Sequence, residues 1–306
     1  MTAPLISICI PAYNARRYLP ATLASVRAQT FTDWELIVTE DGSAEDSENL
    51  VLAFASAGPQ SVSYQRQEKN LGLPATRNTG IAAARGKWIA LLDSDDLWTP
   101  GHLAGLAACA QRLPTADFVH AGSVLFDSAS DRQMETRAPS PAVIRDFPRS
   151  LYVGDYAVQP SSVMLRKDLW AGVGGFNPAC RYVEDREMWL RCARAGAHFA
   201  YSGGNTCLYR QHAGALSTHA GPMALASAAV LQQHLDWGAI DPELRRRRTS
   251  EAWISAGRLP LRHAPRLARD CFGRAWRIRP TARAAAYWLA AAVLALNPAA
   301  PPASLP

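Results

Sequence analysis

Short apolar runs and amphipathic stretches alternate along the first 112 residues. Leu5–Ile10 is an apolar run closed by Pro11, the pattern of a buried strand. Tyr18, Leu19, Leu23 and Val26 follow at helical spacing. Trp34–Val38 predicts a second buried strand, ending at Glu40-Asp41-Gly42-Ser43. Glu45–Ala57 predicts a helix stopped by Gly58-Pro59, and Ser61–Arg66 alternates as a strand does. Pro74–Ala84 predicts a helix with proline near its start and Gly86 just past its end. Trp88–Leu92 predicts a strand running into Asp93-Ser94-Asp95-Asp96. A further helix opens at Thr99-Pro100 and reaches about Arg112.

Four strands separated by helices imply an α/β fold, a parallel sheet with helices on both faces. In such sheets ligands bind beyond the carboxyl ends of the strands. Three strand ends carry polar clusters, Pro11-Ala12-Tyr13-Asn14, Glu40-Asp41-Gly42-Ser43 and Asp93-Ser94-Asp95-Asp96, which should converge on one crevice. The pattern then becomes less regular. Phe118–Phe126 and Ser162–Leu165 predict strands, and Val183–Ala195 a helix. After about Pro222 only helical segments remain, broken by Pro242, Pro260, Pro265 and Pro280. The expected organisation is a domain over 1–220, with halves of about 1–112 and 113–220, and a helical extension over 221–306.

Composition changes this picture little, but charge sharpens it. With 306 residues, 48% hydrophobic and 19% charged, the chain can bury a sizeable core and is not a disordered one. The net charge of +6 is uneven: from Asp241 onward twelve arginines face four acidic residues, so the tail carries +8 and residues 1–240 carry −2. A slightly acidic body disfavours a nucleic-acid partner. The six cysteines show no CxxC spacing, which argues against a zinc ribbon or redox pair, and suit a reducing compartment. No basic stretch followed by an apolar one precedes the first strand, so a secretion signal is not expected. The longest apolar run, Ala284–Leu296, has 13 residues where a bilayer span needs about 20. The expected location is cytoplasmic.

The clusters suggest chemistry. Asp93 and Asp95 at a strand end repel each other unless a cation lies between them, and carboxylate oxygens suit Mg²⁺ or Mn²⁺ bridging to phosphate; a solvated turn is the alternative. For Asp96 helix capping is the expected role. Asp41 could accept hydrogen bonds from a base or ribose, and Tyr13 could stack on a base, or both could serve an ordinary turn. Arg77 is suited to phosphate oxygens, or to a solvated helix face shared with Asn78. Glu184 and Asp185 open a helix, where paired carboxylates suit general-base work or simply favour a helix N-terminus. His212 could be a metal or phosphate ligand, or structural.

Together these residues resemble the family 2 glycosyltransferases, inverting enzymes with the GT-A fold. The resemblance covers roughly residues 4–220. It runs from Ser7-Ile8-Cys9-Ile10-Pro11-Ala12-Tyr13-Asn14 through Asp41-Gly42-Ser43, Asn70-Leu71-Gly72, Ala75-Thr76-Arg77-Asn78-Thr79-Gly80 and Asp93-Ser94-Asp95-Asp96. It closes with Gly174-Gly175-Phe176, Glu184-Asp185 and Tyr209-Arg210-Gln211-His212. It implies that Tyr13 and Asp41 hold the nucleotide base and that Arg77 approaches the nucleotide or diphosphate. Pro11 and Ser94 would lie on the same donor side. Asp93 would contact ribose or metal, Asp95 would ligate the metal, and His212 would sit near the diphosphate or metal. Asp185 would be the catalytic base, with Glu184 supporting the acceptor. The implied activity is transfer of a sugar from a nucleotide-diphosphate donor, with UDP-sugars the commonest. The acceptor would be a saccharide or lipid-linked saccharide in bacterial cell-surface polysaccharide or lipopolysaccharide synthesis. Two departures stand out. Glu40 occupies a position where the family usually has Asp, and Arg181-Tyr182-Val183 is not typical.

Two rival readings are a sugar-phosphate nucleotidyltransferase and a non-catalytic nucleotide-sugar-binding module. The first would show a Gly-rich phosphate loop near the N-terminus, which Pro11-Ala12-Tyr13-Asn14 is not. Retention of Asp93, Asp95 and Asp185 argues against the second. The basic tail is expected to be a helical cap packed on the domain; its alternative is a peripheral contact with anionic lipid at the inner face of the plasma membrane.

Overall fold

The computed structural model of the chain describes residues 3–296, which divide between Ala213 and Gly214 into two compact units. The first unit begins with β1 (Ile6–Ala12), α1 (Leu19–Arg27), β2 (Trp34–Glu40), α2 (Glu48–Ser56), β3 (Val62–Arg66), α3 (Leu73–Ala83) and β4 (Trp88–Leu91). It continues through β5 (Leu97–Trp98), α4 (His102–Arg112), β6 (Phe118–Asp127), β7 (Gln133–Arg137), α5 (Pro141–Arg145) and α6 (Phe147–Val153). A short turn of 3₁₀ helix, Pro160–Ser162, leads into β8 (Val163–Arg166), α7 (Lys167–Gly172), α8 (Glu184–Arg194) and β9 (Phe199–Gln211).

One sheet takes the order β3-β2-β1-β4-β8-β6-β9-β5, with β7 paired to β6. The four strands that the apolar runs predict are parallel neighbours. Beyond β4 the sheet becomes mixed: β8 is antiparallel to both β4 and β6, and β9 is parallel to β6. The near-continuous apolar runs of β1 and β2 follow from burial on both faces. Ile6, Ile8 and Ile10 pack with Leu19 and Leu23 of α1 and Leu103 and Leu106 of α4. On the other face Cys9 and Ile37 meet α3, which comes so close at Gly80 that a Cβ there would stand 2.9 Å from Thr39 Oγ1. Each isoleucine buried this way contributes about 1.5–3 kcal/mol.

Three strands outside the predicted set have physical reasons for escaping the pattern. β7 is exposed along nearly its whole length and so has no apolar face. β5 is two residues long, and the alternation of β9 is broken by Gly203-Gly204. All six cysteines are free, and five of them are buried.

The second unit contains α9 (Ala220–Gln233), α10 (Pro242–Arg258), α11 (Pro265–Ile278) and α12 (Ala282–Leu296). Asp241 caps α10 by accepting a hydrogen bond from the Leu244 N–H at 2.8 Å. Trp253, Ile254, Ala268, Cys271, Phe272, Ala275, Ala284 and Ala291 form its core. Small residues let the helices approach: a Cβ on Gly257 would come within 2.7 Å of the Phe272 ring. No described helix is long and apolar enough to cross a membrane.

Candidate functional site

The carboxyl ends of β1, β2 and β4 lie side by side. The Asp41 N–H donates to the Ala12 carbonyl at 2.8 Å, and the Leu92 N–H to the Cys9 carbonyl at 3.2 Å. The polar clusters therefore meet at one edge of the sheet, as expected. Pro11 is buried inside β1, whereas Tyr13 just beyond is 53% exposed, free to meet a flat ligand. Asp41 is buried, and its two carboxylate oxygens accept the N–H groups of Leu71 (2.7 Å) and Gly72 (2.9 Å). It thus shapes the loop before α3. That loop presses on Gly42, where a Cβ would fall 2.5 Å from the Lys69 carbonyl carbon and where φ is +67°. Glu40 is fully buried; Oε1 accepts from Ser43 while Oε2 has no partner. The Ser43 hydroxyl in turn accepts from the Asn14 N–H at 2.7 Å.

Arg77 is 1% exposed, so it does not lie on a solvated helix face; it stands between two carboxylates of the candidate site. Its two terminal nitrogens donate to Asp93 Oδ1 and Glu184 Oε1, both at 2.6 Å. Burial opposes its charge, but the two carboxylates raise its pKa above the usual value. The next residue, Asn78, fastens α3 to the Gly174-Gly175-Phe176 turn through hydrogen bonds to both the carbonyl (2.7 Å) and the N–H (2.8 Å) of Phe176.

The loop after β4 is held from beneath by Asp96. Helix capping was its expected role; the structure gives it another, since α4 starts at His102 with Gly101 as its N-cap. Asp96 Oδ2 accepts from Ser161 Oγ (2.5 Å) and Oδ1 from the Arg210 N–H (2.8 Å). Ser161 Oγ accepts the Asp93 N–H at 3.0 Å. Arg210 also donates from Nε to the Asp95 carbonyl (2.6 Å) and stacks over Tyr18 and Phe126. The Ser94 carbonyl accepts from Thr22 at 2.9 Å. The backbone is therefore anchored at Asp93, Ser94 and Asp95, and Asp96 is anchored by its side chain. Of the two residues that anchor this loop, Ser161 carries no sequence signal, while Arg210 stands inside the Tyr209–His212 motif.

The Asp95 carboxylate has a different partner. Its Oδ2 lies 2.9 Å from His212 Nε2, with side chains 33% and 15% exposed. Burial raises the Asp95 pKa and Asp93's charge raises it further, while His212 opposes both. Among the described residues no three His, Cys, Asp or Glu side chains gather as a ready-made metal cage. The donor set still fits a hard divalent ion that takes its remaining ligands from phosphate and water. A cation there would offset both the burial and the Asp93 repulsion that raise the Asp95 pKa.

Glu184 and Asp185 are the first two residues of α8. Val183 before them has φ +52°, a left-handed conformation that strains a β-branched residue. Burial raises the pKa of Asp185, against a hydrogen bond from the Arg186 N–H at 2.7 Å. Burial pushes Glu184 up to about 7, against the attraction of Arg77. A carboxyl whose pKa rises on folding contributes stability below its unfolded value, and loses it as pH rises through the folded value. The melting-temperature difference between the parent and Glu184→Gln should accordingly shift against the parent between about pH 4.5 and about 7. A difference flat across that range would show that Glu184 stays ionised throughout.

Comparison with known proteins identifies the family. The sequence model described as glycosyl transferase family 2 matches residues 7–170. An uncharacterized glycosyltransferase of Bacillus subtilis, YwdF, is 31% identical over 191 residues, 62% of this chain and 68% of that one. The Escherichia coli UDP-Glc:alpha-D-GlcNAc-diphosphoundecaprenol beta-1,3-glucosyltransferase WfgD is 37% identical over 99 residues, 32% of this chain and 38% of that one. Among solved structures, S. aureus TarS 1–349 in complex with UDP-GlcNAc aligns with a TM-score of 0.67 at 15% identity, over 92% of this chain and 83% of that one. The mannosyltransferase PcManGT of Pyrobaculum calidifontis in complex with GDP-Man and Mn²⁺ aligns at 0.63 and 16% identity, over 97% and 88%.

Proposed function

The chain belongs to glycosyl transferase family 2 and is a glycosyltransferase of GT-A fold, and from that premise we propose that it moves a sugar from a UDP-sugar to an acceptor hydroxyl by a single inverting displacement. The observation that carries this reading is the Arg77 bridge. One buried guanidinium joins Asp93, at the end of β4, to Glu184, at the start of α8, 2.6 Å from each. Donor-side and acceptor-side carboxylates are thereby held in one constellation. WfgD, named for a lipid-diphosphate acceptor, supports a saccharide or lipid-linked acceptor in bacterial cell-surface polysaccharide synthesis.

Each side chain then has a task. Tyr13 offers its exposed ring to the base, and Asp41 fixes the loop that closes the same edge. Asp95 and His212, with Asp93, would hold a divalent cation, Mn²⁺ or Mg²⁺. When bound, the cation would neutralise the charge developing on the departing diphosphate. Asp185, with its raised pKa, takes the proton of the acceptor hydroxyl as that oxygen attacks the anomeric carbon. Glu184, locked to Arg77, orients the acceptor beside it.

A donor screen by thermal shift with Mn²⁺ present tests the reading, followed by product analysis for inversion at the anomeric carbon. A UDP-sugar should stabilise the chain and be consumed with an inverted product; retention would overturn the mechanism. In calorimetry, Asp95→Ala should weaken donor binding by about tenfold or more in the presence of Mn²⁺. Donor binding by the parent that is indifferent to Mn²⁺ would remove the metal role.

A further inference from the structure

We infer that α11 and α12 of the second unit form a docking surface for an anionic lipid bilayer. The inference stands on these two helices alone and does not depend on the donor or acceptor. The water-facing side of α12 is apolar: Leu289 is 58% exposed, Val293 66% and Leu296 85%. With Ala282 and Ala286 they recur at helical spacing as one stripe along its length. A solvated helix would carry charges there, and Arg283 is the only charged residue of α12.

The stripe adjoins a basic aromatic face. The indole of Trp288, also exposed, lies against Gly273 of α11, 3.5 Å from where a Cβ would stand. Around Gly273 the helix places Arg269 four residues before, Trp276 three after and Arg277 four after, so these share one surface with Trp288. All three are exposed. Arg266 continues the row, and Asp270, three residues before Gly273 and also exposed, is the one acidic residue on this face and in α11. Among the described residues no carboxylate lies within ion-pair distance of Arg266, Arg269, Arg277 or Arg283, although three other arginines of this unit, Arg246, Arg248 and Arg279, do have such partners.

Tryptophan at the border between arginines and an aliphatic stripe is the composition of a helix lying in a membrane interface. At 15 residues α12 is too short to span, so it would lie on the bilayer. Charge selects the occupant. A second copy would bring one arginine row against another, whereas anionic headgroups complement it.

The test is cosedimentation of the full chain with vesicles of phosphatidylcholine alone or mixed equally with phosphatidylglycerol. Binding to the anionic vesicles only, falling as salt is raised, is the expected result. Arg266→Gln, Arg269→Gln and Arg277→Gln together should weaken it by roughly 100-fold, about fivefold per arginine. Leu289→Gln with Val293→Gln, at positions exposed enough to leave folding intact, should weaken it by about tenfold or more. Equal binding to neutral vesicles, no vesicle binding, or unchanged binding by both variants would overturn the inference. So would a dimer in light scattering that Leu289→Gln with Val293→Gln converts to monomer without vesicle binding. Capture of an acidic protein in place of vesicles would do the same.

Discussion

Asp185→Asn is expected to lower kcat by about 10²–10⁴-fold, the usual contribution of a positioned general base, while donor binding by calorimetry stays as in the parent. The substitution keeps the shape of the side chain and its acceptor for the Arg186 N–H, so α8 should start as before. What it removes is a carboxylate able to take a proton. Burial gives that carboxylate a raised pKa, which brings its basicity closer to the working pH. A base works only when deprotonated, so kcat/KM of the parent should rise with pH through a limb lying above the ordinary aspartate range and then level off. In Asp185→Asn the residual rate should lack that limb. A variant that retains the parent's pH profile at full rate would transfer the base role elsewhere, and Glu184, with its pKa near 7, would be the first candidate.

Much of this geometry was legible beforehand because burial on both faces of a parallel sheet leaves uninterrupted apolar runs. β1, β2 and β4 announced themselves in that way, and their polar termini marked the edge where Tyr13, Asp41, Asp93 and Asp95 now stand. The mixed half was harder to see. β7 faces solvent, and β9 carries two glycines in the middle of its alternation, so neither period emerges. Side-chain roles were less legible than positions. Asp96 sits before a helix in sequence, which suggests a cap; its actual partners, Ser161 and Arg210, lie 65 and 114 residues away. No local pattern encodes contacts of that range. Arg77 presents the same difficulty, since helical spacing says nothing of the carboxylates that converge on α3 from β4 and α8.

Arg77→Met should therefore act on stability before it acts on donor binding. Removing the cation strands Asp93 and Glu184 as like charges in a buried space. Breaking such a pair from one side costs about 3–5 kcal/mol. For a unit of this size, with about 2–4 °C per kcal/mol, the melting temperature should fall by roughly 6–20 °C. The loss should be larger at pH 8 than at pH 5, because above about 7 the parent's Glu184 is ionised and paired with Arg77, whereas in the variant burial without that attraction raises its pKa further. Arg77→Lys should recover only part of it, since one ammonium cannot place two nitrogens at 2.6 Å from two separate carboxylates. Adding Glu184→Gln to Arg77→Met should restore some stability, because one of the stranded charges is gone, and the non-additivity measures the coupling. The opposite pattern is equally clear. If Arg77→Met left the melting temperature unchanged and weakened only donor affinity, the guanidinium would be reaching the diphosphate directly. The two 2.6 Å bonds to Asp93 and Glu184 would then have to break whenever donor binds.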